Sequence, residues 1–150
     1  MPFEEKVTWV GVVVSAVVAA VYFSVILGRL GDAPVIEIAY QRPLLIAVGA
    51  VIVLTIVGSI AMGIGTGISA EITGRGSAED IGRKDERDVR IGRRGELVGY
   101  YVASIGMLGA LALTLLEHDY FWIANALYLS FVVAALVSSA VKLVAYRRGF

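Results

Sequence analysis

Residues 81–122 read "IGRKDERDVRIGRRGELVGYYVASIGMLGALALTLLEHDYFW", a densely charged stretch that turns without a break into an apolar one. The change falls between Glu96 and Leu97, and from Leu97 to Leu116 there is no charged residue. A run of about 20 apolar residues, rising 1.5 Å each, crosses a bilayer core of about 30 Å. Lipid offers backbone N–H and C=O groups no partner, so such a run closes its own hydrogen bonds as a helix. The polar turn "EHDY" then separates this span from the next.

The same test, carried outward, finds three more spans: Trp9 to Leu27 ("WVGVVVSAVVAAVYFSVIL"), Leu44 to about Ile68, and Phe121 to about Ala145. The chain is 58% hydrophobic, against roughly 45–50% in soluble domains, and its mean hydropathy is +0.80. The expected fold is therefore an all-α membrane protein: one domain over 1–150, four transmembrane helices as two helical hairpins, and a charged loop over about 71–96. The first apolar run exceeds the roughly 7–15 residues of a signal-peptide core, and no A-x-A-like site follows it. It reads as a retained span.

Positive charge orients the hairpins. Lys6 precedes the first span; Arg75, Arg83, Lys84, Arg87, Arg90, Arg93 and Arg94 lie between the second and third; Lys142, Arg147 and Arg148 close the chain. The other side holds only Arg29 and Arg42. Both termini and the charged loop are expected in the cytoplasm, with the turn containing Pro34 and Pro43 outside. Aromatics fit this reading: Trp9, Tyr100, Tyr101 and Tyr146 fall near the inner interface, and Tyr22, Phe23, Tyr40, Tyr120, Phe121 and Trp122 near the outer one.

Small residues recur at helical spacing, which lets backbones approach closely in lipid. Span one offers Gly11, Ser15 and Ala19, and a second stripe of Ala16, Ala20, Ser24 and Gly28. Span two offers Gly63 and Gly67, and span three Gly99, Ala103, Gly106, Ala110 and Thr114. Span four offers Ala126, Ser130, Ala134 and Ser138, with Asn125 as its buried polar contact. Packing within the bundle accounts for these stripes; a homodimer or larger membrane complex is the sharper use of any left over.

If Ser77 caps a helix that runs on into span three, Arg83, Arg87, Arg90 and Arg94 fall within a sector about 60° wide. Opposite them lie Asp85, Asp88, Val89, Gly92 and Glu96, continuous with the small face of span three. Acids placed four before bases, as in Glu86 and Arg90, support such a helix by tenths of a kcal/mol. Gly82, Gly92 and Gly95 each oppose it by about 1 kcal/mol. The arginine stripe suits anionic lipid headgroups, at about 1 kcal/mol per basic residue, or a cytoplasmic partner. Asp85, Glu86 and Asp88 diverge on a helix, whereas a cation cage needs converging oxygens.

The segments "KDERD", "IGRRGELVGYYV" and "HDYFWIANALYLSFVVAALVSSAVKLVAYRRG" resemble a family of small uncharacterised prokaryotic four-helix membrane proteins. These carry an Asp-Glu-Arg-Asp or Asp-Glu-Arg-Glu motif before the third helix, a domain of unknown function. The resemblance spans about Arg83 to Gly149 and rests on Asp85, Glu86, Arg87 and Asp88, with Ile91, Tyr100 and Tyr101 downstream. It implies a four-span fold in a prokaryotic inner membrane, no established activity, and a regulatory partner of the helix-turn-helix class.

Several chemistries lack their residues. The chain has no cysteine, hence no disulfide, thiolate site or cysteine nucleophile. The apolar runs carry no carboxylate, and their one ionisable residue, Lys142, sits close enough to the cytoplasmic end to snorkel. One histidine precludes bis-histidine haem within one chain. "GIGTG" has no Walker lysine. Glu117, His118 and Asp119 are consecutive, and neighbours along a chain rarely meet one metal ion, so they read as an interfacial turn. Thirteen basic residues balance thirteen acidic ones, which suggests no direct nucleic-acid partner.

The expected function is non-enzymatic, with no cofactor and no metal. The chain would act as an interaction partner, regulator or accessory subunit through Arg83, Asp85, Glu86, Arg87, Asp88, Arg90 and Arg94. Helix packing falls to Gly99, Ala103, Gly106, Ala110 and Asn125. Expected partners are membrane lipids, a second copy or larger complex, and a cytoplasmic regulatory protein. The alternative is a small transporter or channel.

Overall fold

The computed structural model describes residues 3–30, 34–73 and 86–148, the side chains of 69–73 excepted. Among the described residues four α-helices carry the chain, α1 (Phe3–Arg29), α2 (Gln41–Thr73), α3 (Glu86–Leu115) and α4 (Tyr120–Arg148), with a 3₁₀ turn at Val35–Glu37. All four are long and apolar enough to cross a membrane. At 27 residues, α1 is about 40 Å long, longer than a hydrocarbon core. Each helix therefore outruns the apolar stretch that identifies it. The surplus turns are charged.

Local chemistry sets the ends. Glu4 and Glu5 occupy the first turn of α1 and Arg29 its last, which complements the helix macrodipole. Pro43 lies inside the first turn of α2, where Leu44 N–H donates to the Tyr40 carbonyl at 2.9 Å. Its missing N–H is one of the donors a helix start leaves free anyway. Pro43 thus opens α2 rather than holding it off. At the end of α3, Glu117 N–H donates to the Thr114 carbonyl (3.1 Å) and His118 N–H to the Leu113 carbonyl (3.0 Å). That pair of bonds is a Schellman motif, with Glu117 as the left-handed residue at φ 55°. Asp119 follows immediately, and its carbonyl accepts from Trp122 N–H at 2.9 Å to start α4.

The helices run antiparallel to their neighbours in the spatial order α2–α1–α4–α3. One end of the molecule, the terminal end, gathers the starts of α1 and α3 and the finish of α4. The opposite hairpin end holds the α1–α2 and α3–α4 connections. The core lies toward the hairpin end, where Ala19, Tyr22 and Ile26 of α1 meet Phe121, Tyr128 and Val132 of α4, with Ile38 and Ala47 closing one side. Tyr22 and Tyr128 stack edge to face at 4.9 Å, and Tyr40 and Phe121 do so at 5.5 Å. Tyr22 and Phe121 are each 3% exposed. They belong to the core, because both sit on the faces where α1 and α4 meet.

The α3–α4 seam is built on small residues. A Cβ on Gly99 would stand 3.0 Å from Ser138 Cβ and 3.2 Å from the Ala134 carbonyl oxygen, and one on Gly106 would collide with Ser130. Ala110 is buried and Ala103 half-buried. The stripes of spans three and four therefore close on each other. Elsewhere the stripes behave differently. Ala16, Ala20, Ser24 and Gly28 are exposed, because Ser15, Ala19, Tyr22 and Ile26 take the inner face of α1. On α2 the close approach is at Gly58, where a Cβ would stand 2.6 Å from Val10 Cγ1; Gly63 lies in looser contact, 3.8 Å from Phe3. Ala47 is the one buried residue of α2 among those described. Its exposed Leu45, Ile46, Ile52, Val53, Ile56 and Val57 form the kind of apolar surface that water does not tolerate in quantity.

Candidate functional site

The charged turns that open α3 are the candidate site, and their placement follows from a single buried residue. Ile91 is 3% exposed and points at α4, with Gly95 and Gly99 above it on the same buried face. The inner face of α3 thus runs through positions 91, 95 and 99, rotated by about 60° toward Arg87 from the face drawn through 92, 99 and 103. Val89, expected on the packed side, is 53% exposed. Arg87, expected to face outward, is half-buried.

Three contacts fasten these turns to α4. Arg87 Nη2 donates to the Tyr146 carbonyl at 3.5 Å. The Tyr146 hydroxyl lies close enough to the Asp88 carboxylate to interact with it electrostatically. Lys142 Nζ stands 3.5 Å from Glu96 Oε1, and the Lys142 stem lies flat over Gly95, where a Cβ would be 2.5 Å from its Cγ. Glu96 is largely exposed, so that ion pair contributes at most about 1 kcal/mol. Most of the positioning comes from the missing side chain of Gly95 and the packing of Ile91. Helix ends reinforce it: Glu86 and Asp88 lie in the first turn of α3, beside Arg147 and Arg148 in the last turn of α4. Each charge suits its own macrodipole.

The start of α1 joins the same end. The Arg147 guanidinium carbon lies 5.9 Å from the centre of the Trp9 ring, within cation–π range. Lys6 Nζ reaches Thr66 Oγ1 at 3.5 Å and so ties in α2. With Arg87 and Asp88 spent on Tyr146, Arg90, Arg93 and Arg94 remain exposed, within about 100° of one another on the helix wheel. Glu86 is exposed beside them. Arg83 and Asp85 lie outside the described residues. Sequence reasoning placed Tyr146 only as an interfacial aromatic and did not single out the Trp9–Arg147 pair. Their spacing along the chain carries no signal of the contact.

At the hairpin end, Asn125 is buried, accepts a 2.8 Å hydrogen bond from the Tyr22 hydroxyl and donates to the Phe121 carbonyl at 2.8 Å. Glu117, His118 and Asp119 are exposed. Among the described residues no three His, Cys, Asp or Glu side chains gather as metal ligands would.

These features define a class: an all-helical protein with four helices of membrane-spanning length, paired as two hairpins, with an ordered charged stub on α3. Comparison with known protein families, with curated proteins and with solved structures finds no match.

Proposed function

We propose that the chain is a non-enzymatic multi-pass protein of a prokaryotic inner membrane, with both termini and the charged stub in the cytoplasm, working as a regulatory or accessory subunit. The observation that carries this reading is the stub itself. About three turns of α3 project past its apolar length, are held in register by Ile91, Asp88–Tyr146 and Arg87–Tyr146, and keep Arg90, Arg93 and Arg94 exposed. A basic surface on an ordered helix loses little side-chain and backbone freedom on docking, which favours a partner with an acidic face. The excess of Lys and Arg at the terminal end over the hairpin end supports the orientation. The resemblance around Asp85–Asp88 supports a regulatory protein as the partner.

Purification in mild detergent through a C-terminal tag tests this, run on the parent and on Arg90→Glu/Arg93→Glu/Arg94→Glu. A stoichiometric companion that the triple variant loses is the expected result. A companion the variant keeps would move the interface off the stub. A protein that emerges alone would overturn the subunit reading, and solute flux into reconstituted vesicles would then take up the transporter or channel alternative.

A further inference from the structure

The hairpin end holds two neighbouring cavities that share part of a wall. One is a cleft of about 460 Å³ whose wall includes Tyr40, Gln41, Glu117, Asp119 and Tyr120. The other is a groove of about 490 Å³ between α1, α3 and α4, whose wall includes Phe23, Leu27, Leu113, Trp122, Asn125 and Leu129. His118 and Phe121 line both. Each volume falls in the range of small-molecule sites, about 300–1,000 Å³. The groove is apolar apart from Asn125 and His118, and the Asn125 amide is already engaged by Tyr22 and by its own helix. The cleft is polar.

The charge of the cleft decides what fits. Glu117 and Asp119 line it, and among the described residues no lysine or arginine does. On a regular helix those two carboxylates would point apart, but the left-handed turn at Glu117 folds the chain so that both border one space. Tyr40, Tyr120 and Phe121 place aromatic rings in its wall, and an aromatic ring attracts a cation. A phospholipid would bring its phosphate against two carboxylates with no basic side chain in the wall to offset it. An organic ammonium head meets neither objection, and an alkyl tail attached to it has the groove beyond His118 to enter. We propose that the cleft and groove together bind a long-chain organic ammonium amphiphile, its head between Glu117 and Asp119 and its tail along Leu27, Leu113 and Trp122. This site lies at the end of the molecule opposite the charged stub and stands apart from the reading proposed for that stub.

Trp122 reports on the groove directly. The chain has two tryptophans, so Trp9→Phe leaves Trp122 as the sole emitter. The Trp9→Phe protein, reconstituted in phosphatidylcholine vesicles, is titrated with 12-bromododecyltrimethylammonium and, separately, with 12-bromododecanoate, whose terminal bromine quenches indole on contact. Saturable quenching by the cation is expected, at a concentration about tenfold below that needed for the anion, the scale of partly solvated charge pairs near a protein surface. Glu117→Gln/Asp119→Asn keeps the shape of both side chains and should bring the two curves together. Equal quenching by cation and anion in the parent would overturn the proposal, as the groove would then hold only ordinary lipid chains. A cation preference that survives in the double variant would overturn it too, because the head would be recognised elsewhere.

Discussion

Tyr22 and Asn125 are 103 residues apart in sequence and 2.8 Å apart in the fold. A hydrogen bond between membrane-length helices is worth about 1 kcal/mol, since the unpacked helices find other partners in lipid. A double-mutant cycle with Tyr22→Phe and Asn125→Ala, read by denaturant titration, should return a coupling energy of about 1 kcal/mol; a value near zero would mean the contact does not stabilise the pair. Tyr128 provides the contrast, its hydroxyl buried with no hydrogen-bond partner. Tyr128→Phe removes an unsatisfied group at almost constant shape, so the protein should be unchanged or more stable by up to about 1 kcal/mol. Glu117 is the remaining residue under local tension, at φ 55°. Glycine adopts that conformation without the Cβ clash, and Glu117→Gly should stabilise the folded protein by about 1 kcal/mol. Asn125 was legible as an amide alone in an apolar run. Its partner was not, because tyrosine near a span end reads equally well as interfacial.

At the scale of elements, the seam between α3 and α4 is the tightest surface in the protein. Gly95 faces Lys142 and the Ser138 carbonyl, Gly99 faces Ser138 and Ala134, and Gly106 faces Ser130. Gly106→Val should separate the helices and cost about 1–3 kcal/mol, the usual penalty for overpacking. Gly11→Ala meets nothing within 4 Å and should be neutral or stabilising by up to about 1 kcal/mol. Unfolding curves of the two variants side by side check both statements. The seam could be anticipated because small residues recur every three or four positions on both helices. On α1 the same spacing offered two stripes of which one turns inward: Ser15 and Ala19 share the inner face with Tyr22 and Ile26, whereas the stripe through Ala16 and Gly28 is exposed. Spacing identifies a face that permits close approach; only a neighbour of complementary shape makes it a contact.

At the scale of the molecule, α1 and α4 form the centre, while α2 and α3 flank them. The proposed orientation has a direct check, as the chain contains no cysteine. With His118→Cys and Arg148→Cys as single labels, an impermeant maleimide applied to intact cells should modify the first and reach the second only after the membrane is opened. The reverse pattern would invert the topology and place the basic stub outside.

The amino-acid sequence by itself determined the four helices, their pairing as hairpins and the concentration of basic charge at one end. Those follow from run length, from the demand that backbone groups be satisfied locally, and from counting charges. The bounds were less legible. Apolar runs underestimate helices whose outer turns are polar, as at Phe3 and Arg148. The tertiary structure alone decided which face of each helix turns inward, that Arg87 and Asp88 are spent on Tyr146 while Arg90, Arg93 and Arg94 stay exposed, and that two cavities share His118 in their walls. The physical reason is that apolar surface all round a helix leaves little amphipathic pattern to read. In such helices the inner face is chosen by shape, by glycine meeting serine and tyrosine meeting asparagine, and shape complementarity belongs to pairs of segments far apart in the chain.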